Sequence, residues 1–417
     1  MKGKKSNKTE KKKRRDEKVN IKDTDAWKRA EWDYADILSR NMLPSFLGDP
    51  LTEQEIIEWL NDILEGCPEF YPALFDLGGR VLKEGNEKLG KKYLDEGLRL
   101  MEKHDNKEEL ITAYYDTCEF LEKQFQFETA IEYYTRLEKI EKDKAKVYDC
   151  LSYCYVYLDD FDKAFHIQKK ALESCDTNNK YFSNMGWIEL LRGNIDNAKK
   201  MLDRSLKLDP NDEFTQGNIK MLTIIQKNKD LKNWENALLR KKDHEYLDRL
   251  EDEDEDEYQK QIIIDNYGKL DAFKFDLLRN SKYTQRRKYD IWFTAGYILD
   301  FIERTCDDIY FSYDDVGTVE FEFKSIMHRF IIKTGDIDEG IFNDVYTSLF
   351  EFYRFLSKHK VTSGYRSLKD EMLGVKEELL DKMDQWGEIR HNDEYTREEK
   401  EELREELFGS DGFWQRL

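Results

Sequence analysis

Proline is the residue this chain most lacks: 5 in 417 residues, beside 21 glycines. A sandwich or barrel of many short strands needs turn residues at short, regular intervals, so this scarcity points away from an all-β fold and toward helices. No apolar run approaches the ~18 residues of a membrane-spanning helix. The basic N-terminus has no apolar segment behind it, so no secretory signal is expected. The six cysteines are scattered from Cys67 to Cys306 and read as reduced thiols of a cytoplasmic protein. The six histidines never fall three or four apart, which excludes an HExxH-like zinc site. Cys150 and Cys154 share a helical spacing but have no histidine near them in sequence, so no metal is expected. Glycine-rich phosphate loops and GxSxG elbows are absent, and no cofactor is expected.

What is present is charge and aromatic surface. Charged residues make up 38 % of the chain, the net charge is −20, and 13 % of residues are aromatic. That aromatic content is too high for a disordered acidic chain. The acidic balance opposes phosphate backbones and leaves only a local basic segment as a route to nucleic acid. Residues 2–18 are such a segment. Lys11-Lys12-Lys13-Arg14-Arg15 reads as a solubilising tail, a nuclear localisation signal or a polyanion-binding arm.

A spacing of 34 residues recurs in the first half. Ala130, Ala164 and Ala198 are each preceded at −3 by Phe127, Phe161 and Ile195, and followed at +7 by Leu137, Ala171 and Ser205. Cys118, Ser152 and Gly186 supply a small residue twelve positions before each alanine. This is the pattern of a helical hairpin whose axes approach closely where alanine meets a small residue. Turns are expected at Asp159-Asp160 and Gly193-Asn194, and Pro210 stands where a helix should stop.

On these residues the chain resembles the tetratricopeptide repeat family. The unit at 179–212 matches best, through Phe182, Met185, Gly186, Gly193, Ala198, Leu202 and Pro210, and the units at 111–144 and 145–178 also match. A fourth unit, 71–104, carries Gly90 and Gly97 in place of the usual alanines and six extra residues around 104–110, so less regular packing is expected there. Thr52-Glu53-Gln54-Glu55 is a capping box that opens a flanking helix, and residues 213–228 flank the other end. The resemblance implies an array over 50–230 whose first helices line a concave, peptide-binding face. The residues it would place there are Phe75, Tyr115, Asp116, Glu119, Lys146, Asp149, Tyr153, Lys180, Asn184 and Trp187, with Asp76 beside Phe75. The alternative is that Tyr115, Tyr153 and Trp187 complete hairpin packing. A clamp for chaperone C-terminal carboxylates is not expected, since Phe75, Gly79 and Cys150 occupy positions that need polar or cationic groups.

Around the array, residues 1–22 read as a basic tail and 23–49 as a segment with one helix. That helix, about 25–40, presents Trp27, Ala30, Tyr34, Ile37 and Leu38 on one face and should dock on the repeats. The stretch 231–257 reads as a charged linker, with Glu251–Glu257 either solvated or a helix end in water. Residues 258–417 show no repeat and resemble no family. Broad apolar faces are expected on 284–304 (Tyr289, Trp292, Phe293, Tyr297, Ile298, Phe301) and on 319–333 (Phe321, Phe323, Ile326, Phe330, Ile331). A helix capped by Asp336 and one long helix over 366–386 should follow. A last helix should begin at the capping box of Thr396 and Glu399. Short strands are open only within 307–320.

The expected fold is all-α: a tetratricopeptide-type helical-hairpin solenoid followed by a second α-helical domain. The expected function is a non-enzymatic scaffold that binds a protein or peptide partner in its groove, with no membrane association. The second domain would be a further docking surface or an oligomerisation module. The competing reading is a repeat-regulated effector, a ribonuclease or toxin component, because Arg354 and His359 have the Arg-x4-His spacing of HEPN-type ribonucleases. A helix C-terminus carrying basic residues explains the same pair.

Overall fold

The computed structural model describes residues 20–42, 51–228, 230–240, 244–305, 311–334 and 339–409. The basic segment 2–18, the cap expected at Asp336, and Ile309 and Tyr310 of the possible strand lie outside the described residues. Among those described, the fold is all-α, with twenty α-helices and no strand. Val319, Glu320 and Phe321 lie inside a helix. Two compact units divide the chain, Met1–Cys154 and Tyr155–Leu417.

In the first unit, a 3-10 turn leads into α1 (Asp25–Met42), followed by α2 (Glu53–Gly66), α3 (Tyr71–Lys83), α4 (Glu87–His104), α5 (Lys107–Lys123) and α6 (Phe127–Ile140). α7 (Lys144–Tyr157) runs across the division. Helix α1 docks as its apolar stripe predicts: Trp27 meets Phe70 and Tyr71 at ring centroid distances of 4.8 and 5.1 Å. Leu38, expected on that face, is exposed: it lies about 100° round the helix from the fully buried Ile37. The Thr52–Glu55 capping box forms in full.

The hairpin α3–α4, where less regular packing is expected, is close-packed at its glycines. A Cβ built on Gly90 would lie 2.5 Å from Leu82 Cγ and 2.9 Å from the Gly78 carbonyl oxygen, and one on Gly78 would lie 2.8 Å from Leu94. The two helices approach where neither carries a side chain. The six extra residues before the next unit are absorbed largely by lengthening the second helix. α4 has 18 residues where α6 has 14. In α5–α6 the crossing predicted from the spacing is present, with Cys118 Sγ lying 3.7 Å from the Ala130 carbonyl oxygen.

One turn geometry closes all four hairpins. Gly85, Phe125, Asp159 and Gly193 have φ of 86°, 60°, 62° and 77°. In each turn the next residue's N–H reaches back five positions to a helical carbonyl: Asn86 to Val81, Gln126 to Leu121, Asp160 to Tyr155, and Asn194 to Glu189. This is the Schellman closure, which favours glycine because a Cβ at positive φ is strained. The two non-glycine residues are held by side-chain contacts. Phe125 is buried and stacks on Phe127 at 6.1 Å, and the Asp159 carboxylate accepts two hydrogen bonds from Arg279 at 3.0 and 2.6 Å.

In the second unit, repeat helices α8 (Phe161–Ser174), α9 (Asn179–Leu191), α10 (Ile195–Leu208) and α11 (Glu213–Lys227) precede a short α12 (Trp234–Leu238). Then come α13 (His244–Glu253), α14 (Glu255–Arg279), α15 (Gln285–Thr305), α16 (Val316–Thr334) and α17 (Glu339–Lys358). The chain continues with α18 (Tyr365–Gly374), α19 (Lys376–His391) and α20 (Arg397–Phe408). The stretch expected to be a linker is largely helical. Its acidic run forms the end of α13 and the start of α14 in water, with Asp254 capping α14 by accepting from Glu257 N–H at 3.1 Å. Where one long helix is expected over 366–386 there are two, α18 and α19, parted at Val375.

A single hydrophobic core runs from Val156 to Phe408 and joins the last repeats to the helices beyond them. Tyr157 stacks on Phe275 at 5.1 Å, and Trp234 packs between Trp187 and Phe275 at 5.9 and 6.2 Å. Two of the apolar faces expected from sequence are buried only in part. α15 buries Ile291, Ala295, Ile298, Leu299 and Ile302 and leaves Phe293 and Tyr297 50 % and 46 % exposed. α16 buries Phe323, Ile326 and Phe330 and leaves Phe321 85 % exposed. Helix burial follows the 3.6-residue stripe that meets neighbours, and an aromatic next to that stripe stays in solvent.

Candidate functional site

The first helices of two successive repeats, α3 and α5, wall a cleft of about 470 Å3. Phe75 and Gly79 of α3 face Phe120 of α5, with Leu94 of α4 beneath. Gly97 makes room for the Phe75 ring: a Cβ there would stand 3.1 Å from it. Gly79 does the same for Phe120, whose ring lies 3.4 Å from where a Cβ would be. The apolar wall is therefore built from two phenylalanines, each laid against a glycine.

Charged groups rim the cleft. Arg80 donates to Asp76 at 2.8 Å and to Glu53 at 2.5 Å. Burial alone would lower the Arg80 guanidinium's pKa, but the hydrogen bonds and charges of Glu53 and Asp76 outweigh it and raise it. Tyr34 of α1 reaches Asp76 at 3.5 Å, and its hydroxyl is pushed up to about 12 by burial, with Asp76 adding to the effect. Asp116 of α5 lines the cleft and is exposed.

The residues expected in the groove fall into three groups. Phe75 and Asp116, with Asp76, line the cleft. Elsewhere in the first unit, Tyr115 packs on Tyr134 at 6.3 Å with the Lys146 ammonium 3.9 Å above its ring, and Glu119 pairs with Lys123 at 2.7 Å on the helix surface. Asp149 and Tyr153 are half-buried on α7. Lys180, Asn184 and Trp187 lie on α9 in the second unit, where Trp187 belongs to the aromatic contacts with Tyr157 and Trp234. Sequence reasoning missed Gly79, Arg80 and Phe120. The signal was available, because Gly79 follows Phe75, Arg80 follows Asp76, and Phe120 follows Asp116 by four residues, one helical turn along the same face.

Arg354 and His359 are not joined by any contact among the described residues. Arg354 donates to Glu351, while His359 lies past the end of α17 with its ring on Phe355 at 4.8 Å. Burial, helped by Lys358, lowers the His359 pKa. A cleft of about 690 Å3 in the second unit includes Arg279, Arg354 and Lys358 in its lining. Each of these cations has a carboxylate: Asp159 and Glu235 for Arg279, Glu351 for Arg354, and Asp276 for Lys358. Their charge is largely neutralised within the protein, which weakens this cleft as a phosphate site. No group of three or more His, Cys, Asp or Glu side chains able to hold a metal occurs among the described residues. No helix among them is long and apolar enough to cross a membrane.

Antiparallel helix pairs closed by one turn and stacked through small residues define a helical-repeat protein. Residues 180–212 match the tetratricopeptide repeat family. No curated protein matches the chain. Similar solved structures include YrrB, described as a TPR protein with an unusual peptide-binding site. It is 18 % identical, with a TM-score of 0.32 over 47 % of this chain and 98 % of that one. MamA from Desulfovibrio magneticus RS-1, residues 41 to the end, is 16 % identical, with a TM-score of 0.33 over 46 % and 98 %. The TPR domain of P58(IPK) is 13 % identical, with a TM-score of 0.23 over 85 % and 88 %.

Proposed function

We propose that the protein is an interaction scaffold and that the α3–α5 cleft takes an apolar side chain from a partner peptide or helix. The observation that carries this reading is the cleft's construction: two phenylalanines on the first helices of adjacent repeats, each laid against a glycine (Gly97 of α4 and Gly79 of α3), with charge confined to the rim. An apolar anchor in such a cleft supplies affinity, and a rim of carboxylates and Arg80 sets orientation. Asp116 would meet a cationic or hydrogen-bond-donating group beside the anchor.

Panning a random peptide library on the full chain tests this reading. Selected peptides should share an apolar anchor, and Phe120→Ala or Asp116→Lys should weaken them at least about 10-fold, in line with loss of one interface anchor. Peptides that bind both variants as tightly as the original chain, or a library that yields no binder, would rule the cleft out.

A further inference from the structure

Of the charged side chains that line the α3–α5 cleft, Glu53, Asp76 and Arg80 hold one another. Two more line it and are exposed, Asp116 of α5 and Lys83 of α3. Among the described residues, neither side chain takes part in an ion pair or hydrogen bond. Their places along the cleft follow from how the hairpins stack. Lys91 of α4 pairs with Glu132 of α6, and Asp95 with Arg136, each 41 residues further on. Gly79 and Phe120, in contact on α3 and α5, have the same offset. One constant offset means that successive hairpins lie parallel and in register. Asp116 is then level with Phe75, and Lys83 lies eight residues, or about 12 Å, further along the cleft. The apolar floor of Phe75, Leu94 and Phe120 runs between an anionic end and a cationic end.

The furrow is narrow, because the Phe120 ring rests against Gly79 across it. A helix with its side chains is about 10–12 Å wide and would sit above such a furrow. An extended chain can lie in it. Side chains at i, i+2 and i+4 of a strand point the same way at steps of about 6.6 Å. A side chain at i beside Asp116, one at i+2 between Phe75 and Phe120, and one at i+4 beside Lys83 cover the ~12 Å between the two charges.

We infer that the partner of this cleft is an extended peptide with a basic residue two positions to one side of its apolar anchor and an acidic residue two positions to the other. The inference rests on the proposed seating of an apolar side chain in the cleft and adds the sign and spacing of the charges around it. The basic group meets Asp116, with the surplus carboxylate charge of Glu53 and Asp76 nearby, and the acidic group meets Lys83. A segment with two basic or two acidic flanks meets one like charge, so the cleft discriminates by repulsion as well as attraction. The same two charges fix which way the peptide lies, since turning it end for end sets both flanks against their own sign.

Fluorescence anisotropy with three labelled peptides, blocked at both termini and given neutral flanks, reads the outcome on the full chain. Their cores are Lys-Ser-Leu-Ser-Glu, Lys-Ser-Leu-Ser-Lys and Glu-Ser-Leu-Ser-Glu. The first should bind at least about 5-fold more tightly than either other, the scale of exchanging one exposed attraction for a repulsion. Raising the salt to about 0.5 M should shrink that preference. Asp116→Lys should make the doubly acidic core the tightest, and Lys83→Glu the doubly basic one. A reversed ranking cannot come from a loss of folding, which would weaken all three together. Equal binding of the three cores, abolished by Phe120→Ala, would leave the cleft standing and overturn this inference alone. Rankings that stay the same in both charge variants would overturn it too. No binding of any core would overturn the cleft and this inference together.

Discussion

Burial pushes the Cys150 thiol up to about 12, and Cys118 and Cys154 are shifted in the same direction by burial, with Glu122 adding to it. Their environment is set by residues around them: Cys154 Sγ lies 3.4 Å from a Glu122 carboxylate oxygen, and Cys118 faces the Ala130 carbonyl. A thiolate is the nucleophile and the metal ligand, so these thiols are inert in the folded state. The linkage has a definite sign. An acid whose folded pKa is raised gives stability that is fully present below its unfolded value, about 8.5 for a thiol, and lost as pH rises toward the folded value. The urea midpoint should therefore fall between pH 8 and about 11 by more than three alanines at these positions would allow. Iodoacetamide at about pH 9 should modify the half-buried Cys175 while Cys118 and Cys154, both buried, stay unmodified until the chain unfolds. Labelling of all three at similar rates would contradict this account.

At the scale of the helix, one substitution should act with opposite signs at two places. Gly90→Ala adds a methyl that meets the Gly78 backbone oxygen, which no rotamer change relieves. Overpacking of about 1–3 kcal/mol should outweigh the roughly 1 kcal/mol that alanine gains in helix propensity. Gly217 lies in α11 with no atom within 4 Å of a built Cβ, so Gly217→Ala should stabilise by about 0.5–1 kcal/mol. Thermal melts of the two variants check the pair, and a stabilised Gly90→Ala would sink the close-approach argument. This contrast also shows what the sequence made legible. Ala130, Ala164 and Ala198 recur at a fixed spacing because every hairpin crosses at that position, and all three are fully buried. Gly90 breaks the pattern in letter while serving it in geometry, which spacing alone cannot show. The cleft was half legible: Phe75 and Asp116 sit at expected positions, but Phe120 and Gly79 matter only because two helices bring them face to face. The exposed rings on α15 were misread, since aromatics mark a face as apolar without saying which neighbour, if any, covers it.

At the scale of the second unit, the repeats and the helices after them share one core, so neither part completes its burial alone. Asp159, in the turn of the third hairpin, and Glu235, in α12, both hold Arg279 of α14. Trp234 touches a ring on each side of the join, Trp187 and Phe275. Trp234→Ala should lower stability by about 3–5 kcal/mol, the usual penalty for emptying a large aromatic site. Denaturant titration followed by fluorescence and by circular dichroism should show both probes shifting together. A change below about 1 kcal/mol would mean that the repeats and the later helices are only loosely joined.

The same continuous core has a consequence for how the chain is made. Its contributors run from Val156 to Phe408, a span of about 250 residues. At a synthesis rate of about 5–20 residues per second, the apolar side of the last repeats emerges some 10–50 s before the final helix that helps cover it. Trp187 and Leu190 leave the ribosome among the first of these residues and wait for Trp234, then Phe275, and finally Phe408. During that interval the nascent chain presents an unfinished hydrophobic surface. The chain's net charge of −20 adds repulsion between neighbouring copies that does not depend on the fold being complete.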